Sequence, residues 1–220
     1  MTGLAFLHGW GYGPCVWEAW AKAFPGRPAA VLDAGYFGPR RMELPANADG
    51  WIGVGHSFGF AQLLGMDIPW RGLVGFGAFV RFCASAERPD GTPTALLDAM
   101  LSRLDTDPAD VLRRFTKRCG QPAASSDLMG VQAEAAGLSR LRADLRLLRG
   151  LDLPAPKAVP PVLLLHAADD RIVPPALAQE ARDVLRGAQL LSFGSGGHAL
   201  PFTRTEDCLP VVREFIDALR

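Results

Sequence analysis

The chain has 220 residues, 49% of them hydrophobic, with 23 basic side chains balanced by 23 acidic ones. That length and composition suit one domain with a substantial core, and the neutral balance excludes both the general basic field of a nucleic-acid binder and an acidic tail. No apolar run approaches the roughly 20 residues that cross a bilayer, and Met1-Thr2-Gly3 lacks the basic region of a secretory signal, so a cytoplasmic protein that does not engage membranes is expected.

Residues 4–7 form an apolar run that reads as a strand, and it enters a glycine-punctuated turn, His8-Gly9-Trp10-Gly11. A helix follows Pro14, a strand covers 29–33, and another covers 51–55 directly ahead of Gly55-His56-Ser57-Phe58-Gly59. A helix is expected after Ser57 and a strand at 72–76. From Phe79 to about Pro154 the pattern changes to helices without strand runs. There Leu138, Leu141, Leu145 and Leu148 fall at helical spacing and should pack inward, with Arg142, Arg146 and Arg149 on the other face. A second basic group, Arg113, Arg114, Lys117 and Arg118, flanks Phe115 in another helix. Pro154, Pro156, Pro160 and Pro161 mark the return to strands at 162–166 and 189–193, with helices after Pro175 and Arg204. The alternation predicts an α/β fold, a mostly parallel sheet with helices on both faces. Residues 1–80 and 156–220 would form its core, and 81–155 an inserted helical cap.

The five residues 55–59 have the G-x-S-x-G form of a nucleophile elbow, a sharp strand-to-helix turn that lifts a serine hydroxyl out of a sheet. Side chains at 55 and 59 would collide with the neighbouring strand and helix, and glycine occupies both places. A serine hydroxyl needs a base, and the base needs an orienting acid. His198, in a glycine-rich loop after the last strand, is the favoured base over His56 and His166. The acid should follow the strand at 162–166, where Asp169 and Asp170 compete and Asp170 is favoured. Backbone N–H groups of Phe58, after the nucleophile, and Trp10, in the early turn, are the natural oxyanion donors.

His8-Gly-Trp-Gly11, Gly55-His-Ser-Phe-Gly59, Asp170-Arg-Ile-Val-Pro174 and Gly197-His-Ala-Leu-Pro-Phe202 together resemble the α/β-hydrolase superfamily, and within it the pimeloyl-[acyl-carrier protein] methyl ester esterases of biotin synthesis. The resemblance covers nearly the whole chain. It implies Asp170 as the acid, His198 as the base and Trp10 as the first oxyanion donor, and it implies an acyl-carrier protein held by cap arginines. Position 171 is Arg where the family usually has Gly, and the family's N-terminal hairpin is expected to be shortened or absent.

The reaction that follows is ester hydrolysis by acyl transfer through Ser57. A small-molecule carboxylesterase with the same three residues, and a non-catalytic binding protein of this fold, are the other readings. The large aromatics Trp10, Trp17, Phe58, Phe79, Phe82 and Phe115 are candidates for an acyl channel, or simply for the core. The basic helices bearing Arg142, Arg146 and Arg149, or Arg113, Arg114, Lys117 and Arg118, are candidates for docking an anionic carrier. Gly53-Val-Gly55 mimics a dinucleotide loop, but its third glycine falls one place late. No Walker loop or H-E-x-x-H occurs, and neither cofactor nor metal is expected. Cys15, Cys83, Cys119 and Cys208 show no C-x-x-C pair and should be reduced thiols.

Overall fold

The computed structural model describes residues 1–120, 135–154, 156 and 158–219. Six strands, β1 (Gly3–Leu7), β2 (Ala29–Leu32), β3 (Trp51–His56), β4 (Gly72–Phe76), β5 (Val162–Ala167) and β6 (Gln189–Phe193), pair in parallel in the order β2-β1-β3-β4-β5-β6. Each falls where the hydrophobic pattern predicts it. One edge differs, because Asp33 leaves β2 to bridge antiparallel to Arg41. No strand precedes β1 among the described residues. Strands β1, β3, β4 and β5 are buried along their whole length, as parallel strands covered on both faces must be, and that is why they read as continuous apolar runs.

The period-two alternation of the strands divides the core between two faces. Leu4, Phe6, Val54 and Phe76 pack with Trp17 and Trp20 and with Val212 and Ile216, which lie on α1 (Glu18–Lys22, with Trp17 at its N-cap) and on the last helix. Ala5, Leu7, Leu73 and Leu164 pack on the opposite face against Phe60 and Leu63 of α2 (Phe58–Leu64) and against Ala181 and Leu185 at the helix after β5. Between β4 and β5 the chain forms α3 (Thr94–Leu104), α4 (Pro108–Arg118) and α5 (Ala135–Gly150), followed after β5 by α6 (Pro175–Val184), α7 (Leu200–Thr203) and α8 (Thr205–Ala218). Helix α4 starts where Asp107 caps the N–H of Asp110 and Pro108 takes the first turn. No helix among the described residues is long and apolar enough to cross a membrane.

Helices α3 to α5 lie in the segment 81–155 expected as an insertion, of which residues 121–134 and Ala155 lie outside the described residues. Leu141, Leu145 and Leu148 point inward and Leu138 packs at their margin, in a cluster with Trp10, Phe58, Phe79 and Phe82. The two ends of the segment sit side by side: Arg81 bridges to Asp152, and the N–H of Leu153 donates to Val80 at 2.9 Å. Arg81, with its side chain only 5% exposed, makes a two-point contact with Glu180 of α6, Nε to Oε1 at 3.1 Å and Nη2 to Oε2 at 2.6 Å. Removing one partner of such a pair strands the other charge in a low-dielectric site, at about 3 kcal/mol or more. Glu180→Ala should therefore lower Tm by roughly 6–12 °C in a chain of this size, whereas alanine at the exposed Asp183 of the same helix should change little. Thermal melts of the two variants check this.

Candidate active site

The strand order reverses at β1, since the chain runs from β1 out to β2 and then returns to the other side as β3. Such a switch point opens a crevice at the carboxyl ends of the two strands. His8-Gly9-Trp10 leaves β1 there and Ser57 leaves β3 there. Ser57 has φ 55° and ψ −125°, the single positive φ of a non-glycine residue among those described, a conformation that stores on the order of 1–3 kcal/mol. Its neighbours explain how the turn closes. A Cβ at Gly59 would lie 2.4 Å from the Leu7 carbonyl oxygen and 2.5 Å from that of His8, and one at Gly55 would lie 2.5 Å from Cα of Phe60. The Ser57 N–H donates to the Phe76 carbonyl of β4 at 2.8 Å.

His198 Nε2 lies 2.9 Å from Ser57 Oγ, and His198 Nδ1 lies 2.7 Å from Asp170 Oδ2. The ionised carboxylate can only accept, so Nδ1 carries the proton and Nε2 is left to accept from the serine hydroxyl. Asp170 Oδ1 accepts the N–H groups of Ile172 and Val173 at 2.8 and 2.9 Å. Burial alone would raise the Asp170 carboxyl, but the attraction of the His198 ring N–H and the backbone hydrogen bonds outweigh it and hold it below the usual carboxylate range. All three side chains are buried. The structure thus brings Ser57, His198 and Asp170 together. Asp169 has a different contact, accepting the Gly197 N–H at 2.8 Å. The rejected histidines are close by. His56 Nε2 donates to the His198 carbonyl at 2.9 Å, and His166 Nε2 donates to Val173 at 3.1 Å. Burial depresses both of their pKa values, outweighing the opposing pull of the Asp170 carboxylate, and keeps them neutral.

Two contributors were hidden in the sequence. His56 holds the backbone of the base from across the sheet and packs ring to ring with it at 4.8 Å. Gly77, just after β4, has φ 52°, and a Cβ there would lie 3.0 Å from His198 Nδ1. Their only sequence signal was position, a residue beside the serine and a glycine at a strand end.

A cavity of about 370 Å³ opens on Ser57 between the insertion helices and the sheet; its lining is mostly apolar and includes Trp10, Phe82, Met100, Phe115 and Leu148. Its size is at the lower end of the roughly 300–1,000 Å³ of small-molecule sites. Of the six aromatics considered for an acyl channel, Trp10, Phe82 and Phe115 line it. Trp17 does not: it packs against Phe6, Trp20, Phe76 and Phe202 in the core. Phe58 and Phe79 are buried in the apolar cluster beneath the insertion. Arg103, Arg114 and Arg118 also reach the cavity wall. The basic faces are partly neutralised from within. Arg142 pairs with Asp105 at 2.7 Å and Arg149 with Asp98 at 2.8 Å, while Arg113 and Arg114 both pair with Asp110. Arg146 and Lys117 lie on the same helices, Arg146 exposed.

The chain is similar in sequence to two curated proteins named pimeloyl-[acyl-carrier protein] methyl ester esterase. That of Aromatoleum aromaticum is 28% identical over 243 residues, spanning 97% of each chain. That of Stenotrophomonas maltophilia is 29% identical over 158 residues, 68% of this chain and 61% of that protein. A family described as TAP-like protein matches residues 150–219. Among solved structures, an esterase from Exiguobacterium antarcticum superposes with a TM-score of 0.85 at 18% identity, covering 99% of this chain and 92% of that one. A bromoperoxidase from Bacillus anthracis gives 0.79 at 17% identity, with coverage of 99% and 92%. The fold is that of the α/β-hydrolases.

Two outcomes follow from this geometry. Gly77→Ala should lower kcat for any ester substrate by roughly tenfold or more, since the new methyl group pushes on the His198 ring and small misplacements are costly, and should lower Tm by roughly 2–8 °C because φ 52° is strained for alanine; steady-state kinetics per titrated active site and a thermal melt test it. The second concerns pH. With the folded-state pKa of His56 depressed below the unfolded value of about 6.5, the unfolded chain takes up the proton first as pH falls. This part of the stability is complete above about pH 7 and is lost progressively as pH falls below about 6.5. His56→Gln should flatten the decline of Tm between pH 7.5 and 5.5, measured by melts across that range.

Proposed function

We propose that this chain, an α/β-hydrolase in fold, is a serine carboxylester hydrolase acting through Ser57, His198 and Asp170. The observation that carries this reading is the unbroken chain of contacts from Asp170 through His198 to Ser57 Oγ, at 2.7 and 2.9 Å, beside an apolar cavity. In the first step His198 Nε2 takes the Ser57 proton as Oγ attacks the ester carbonyl, while Asp170 keeps Nδ1 protonated and supports the imidazolium. The N–H groups of Trp10 and Phe58 receive the oxyanion. His198 then returns its proton to the departing alkoxide, which leaves as an alcohol. Water repeats the sequence on the acyl-enzyme, releases the carboxylic acid and restores Ser57.

The substrate in this reading is the methyl ester at the far end of a pimeloyl group carried as a thioester on acyl-carrier protein. The names of the two sequence relatives support it, as does the combination of an apolar cavity with arginines in its wall. The carrier would dock on the basic helices, at Arg142, Arg146 and Arg149 of α5 or at Arg113, Arg114, Lys117 and Arg118 of α4. A small-molecule carboxylesterase is the second reading. It is favoured by the intramolecular pairing of Arg113, Arg114, Arg142 and Arg149, which leaves less charge free for a carrier.

Ser57→Ala should lower kcat on p-nitrophenyl esters by roughly 10⁴-fold or more without unfolding the protein, and a fluorophosphonate probe should label the parent protein at Ser57. Residual turnover above about a tenth of the parent's would remove Ser57 from the nucleophile's role. Growth of a biotin-requiring bacterium lacking its own esterase, rescued by this chain and not by Ser57→Ala, supports the carrier-linked substrate. Esterase activity without rescue moves the assignment to the small-molecule reading.

A further inference from the structure

The insertion is hydrogen-bonded to the loops that carry Trp10, the acid and the base of the proposed chemistry. Its helix α5 receives the indole Nε1–H of Trp10 at the Leu141 carbonyl, 2.9 Å away. One turn further along α5, Asp144 Oδ2 accepts the hydroxyl of Tyr36 at 2.5 Å; Tyr36 follows β2 and belongs to the sheet side of the crevice. At the end of α4 the Cys119 carbonyl accepts the N–H of Ala199, the residue after the base, at 3.0 Å. Arg118 Nε donates to the carbonyl of Arg171, the residue after the acid, at 3.1 Å. Phe115 meets the Trp10 ring edge to face, with centroids 5.0 Å apart.

A lid that only covered a cavity would need apolar contact and no more. Two of these bonds instead reach the backbone next to the proposed acid and base, and a third holds the side chain of the residue whose N–H is the proposed oxyanion donor. Trp10 is the sharpest case. Its indole is 2% exposed and held by α5, while its own backbone N–H is the proposed oxyanion donor, so any shift of α5 is passed through one rigid side chain to that N–H. The loop is also tight on its inner side, where a Cβ at Gly9 would lie 3.0 Å from Cβ of Ser57.

We propose that the insertion positions the oxyanion hole, with Trp10 and Tyr36 as positioning residues that seat α5 on the sheet, so that the seating of the insertion sets turnover as well as covering the acyl chain. This rests on the serine hydrolase reading above. The chemical step is unchanged; what the seating alters is the alignment of a donor with the charge that develops on the carbonyl oxygen.

The test uses the whole chain and p-nitrophenyl acetate, whose acyl group is too short to depend on the cavity. Rates are referred to active sites titrated with a fluorophosphonate, so that loss of folded protein does not count as loss of rate. Trp10→Phe keeps an aromatic ring and the backbone N–H but removes the nitrogen-bearing half of the buried indole together with its bond to Leu141, whereas Tyr36→Phe removes a hydroxyl alone. Trp10→Phe should lower kcat by roughly ten- to a hundredfold with KM within about twofold, and weaken a trifluoromethyl ketone, which forms the tetrahedral adduct, in proportion. Tyr36→Phe should do the same to a smaller degree from a site that touches no reacting group. Because both act through α5, the double variant should fall little below Trp10→Phe alone. Unchanged kcat in both single variants, a change confined to KM, or fully additive losses in the double variant would overturn the proposal. If Trp10→Phe does not fold, Tyr36→Phe decides on the same criteria. Ser57→Ala run alongside separates the two levels. If the parent hydrolyses the ester and Ser57→Ala does not, parent-like rates in the positioning variants sink only the coupling. If the parent neither turns over nor takes the label, both readings fall together.

Discussion

The site depends on one backbone constraint, the closing of the turn at Ser57. At φ 55° the serine leaves β3 and starts α2 within a single residue. That turn closes only because the carbonyls of Leu7 and His8 can rest directly on Gly59 and the backbone of Phe60 on Gly55. The same contact that makes glycine necessary also fixes the end of β1 against the elbow. Residues 8–10 are therefore delivered beside Ser57 as a consequence of how the turn packs. The local strain is balanced by a buried sheet on three sides, with Ser57 N–H tied to β4 and β3 paired along its length to both β1 and β4.

Around that point lies an arrangement of buried ionisable groups that would be unstable if each were taken alone. A carboxylate removed from water is costly unless its lone pairs are satisfied. Asp170 has two backbone N–H donors on one oxygen and the His198 ring on the other. The neighbouring His56 and His166 could not both be charged without opposing the imidazolium that the proposed reaction would form on His198. Burial keeps them neutral, and each uses its single N–H on a backbone carbonyl. Of three histidines within one small volume, one faces Ser57 and Asp170 and the other two brace the backbone around them.

What was legible in the sequence was whatever is encoded within a few consecutive residues. All six strands, the elbow, the glycines flanking it and the helical character of the insertion are local patterns, and the structure places them where those patterns fall. Contacts between distant segments were not legible. Gly77 reads as an ordinary strand-end glycine until the loop bearing His198 arrives against it. The aromatics divide the same way: nothing in the identity of Trp17 distinguishes it from Trp10, and only the packing of α1 and α7 around it shows that it belongs to the core. For α5 the periodicity predicted which face carries arginine. It had no means of showing that Asp98 and Asp105 would lie opposite Arg149 and Arg142 and pair two of the three arginines of that face.

The two adjacent carboxylates after β5 show how far side-chain chemistry can diverge over one residue. Asp170 turns inward to the His198 ring, and Asp169 accepts the N–H of Gly197 in the same loop. One sets the direction of the imidazole and the other anchors the chain that carries it. Both oxygens bind the same short stretch from one side, while His56 and Cys119 bind it at the His198 carbonyl and the Ala199 N–H. The loop is glycine-rich at 194, 196 and 197 and would have many conformations on its own. With four attachments across its residues 197–199, drawn from β3, from the loop after β5 and from the end of α4, it has one. The His198 ring is held in one place because the loop that bears it is tied down at these four points.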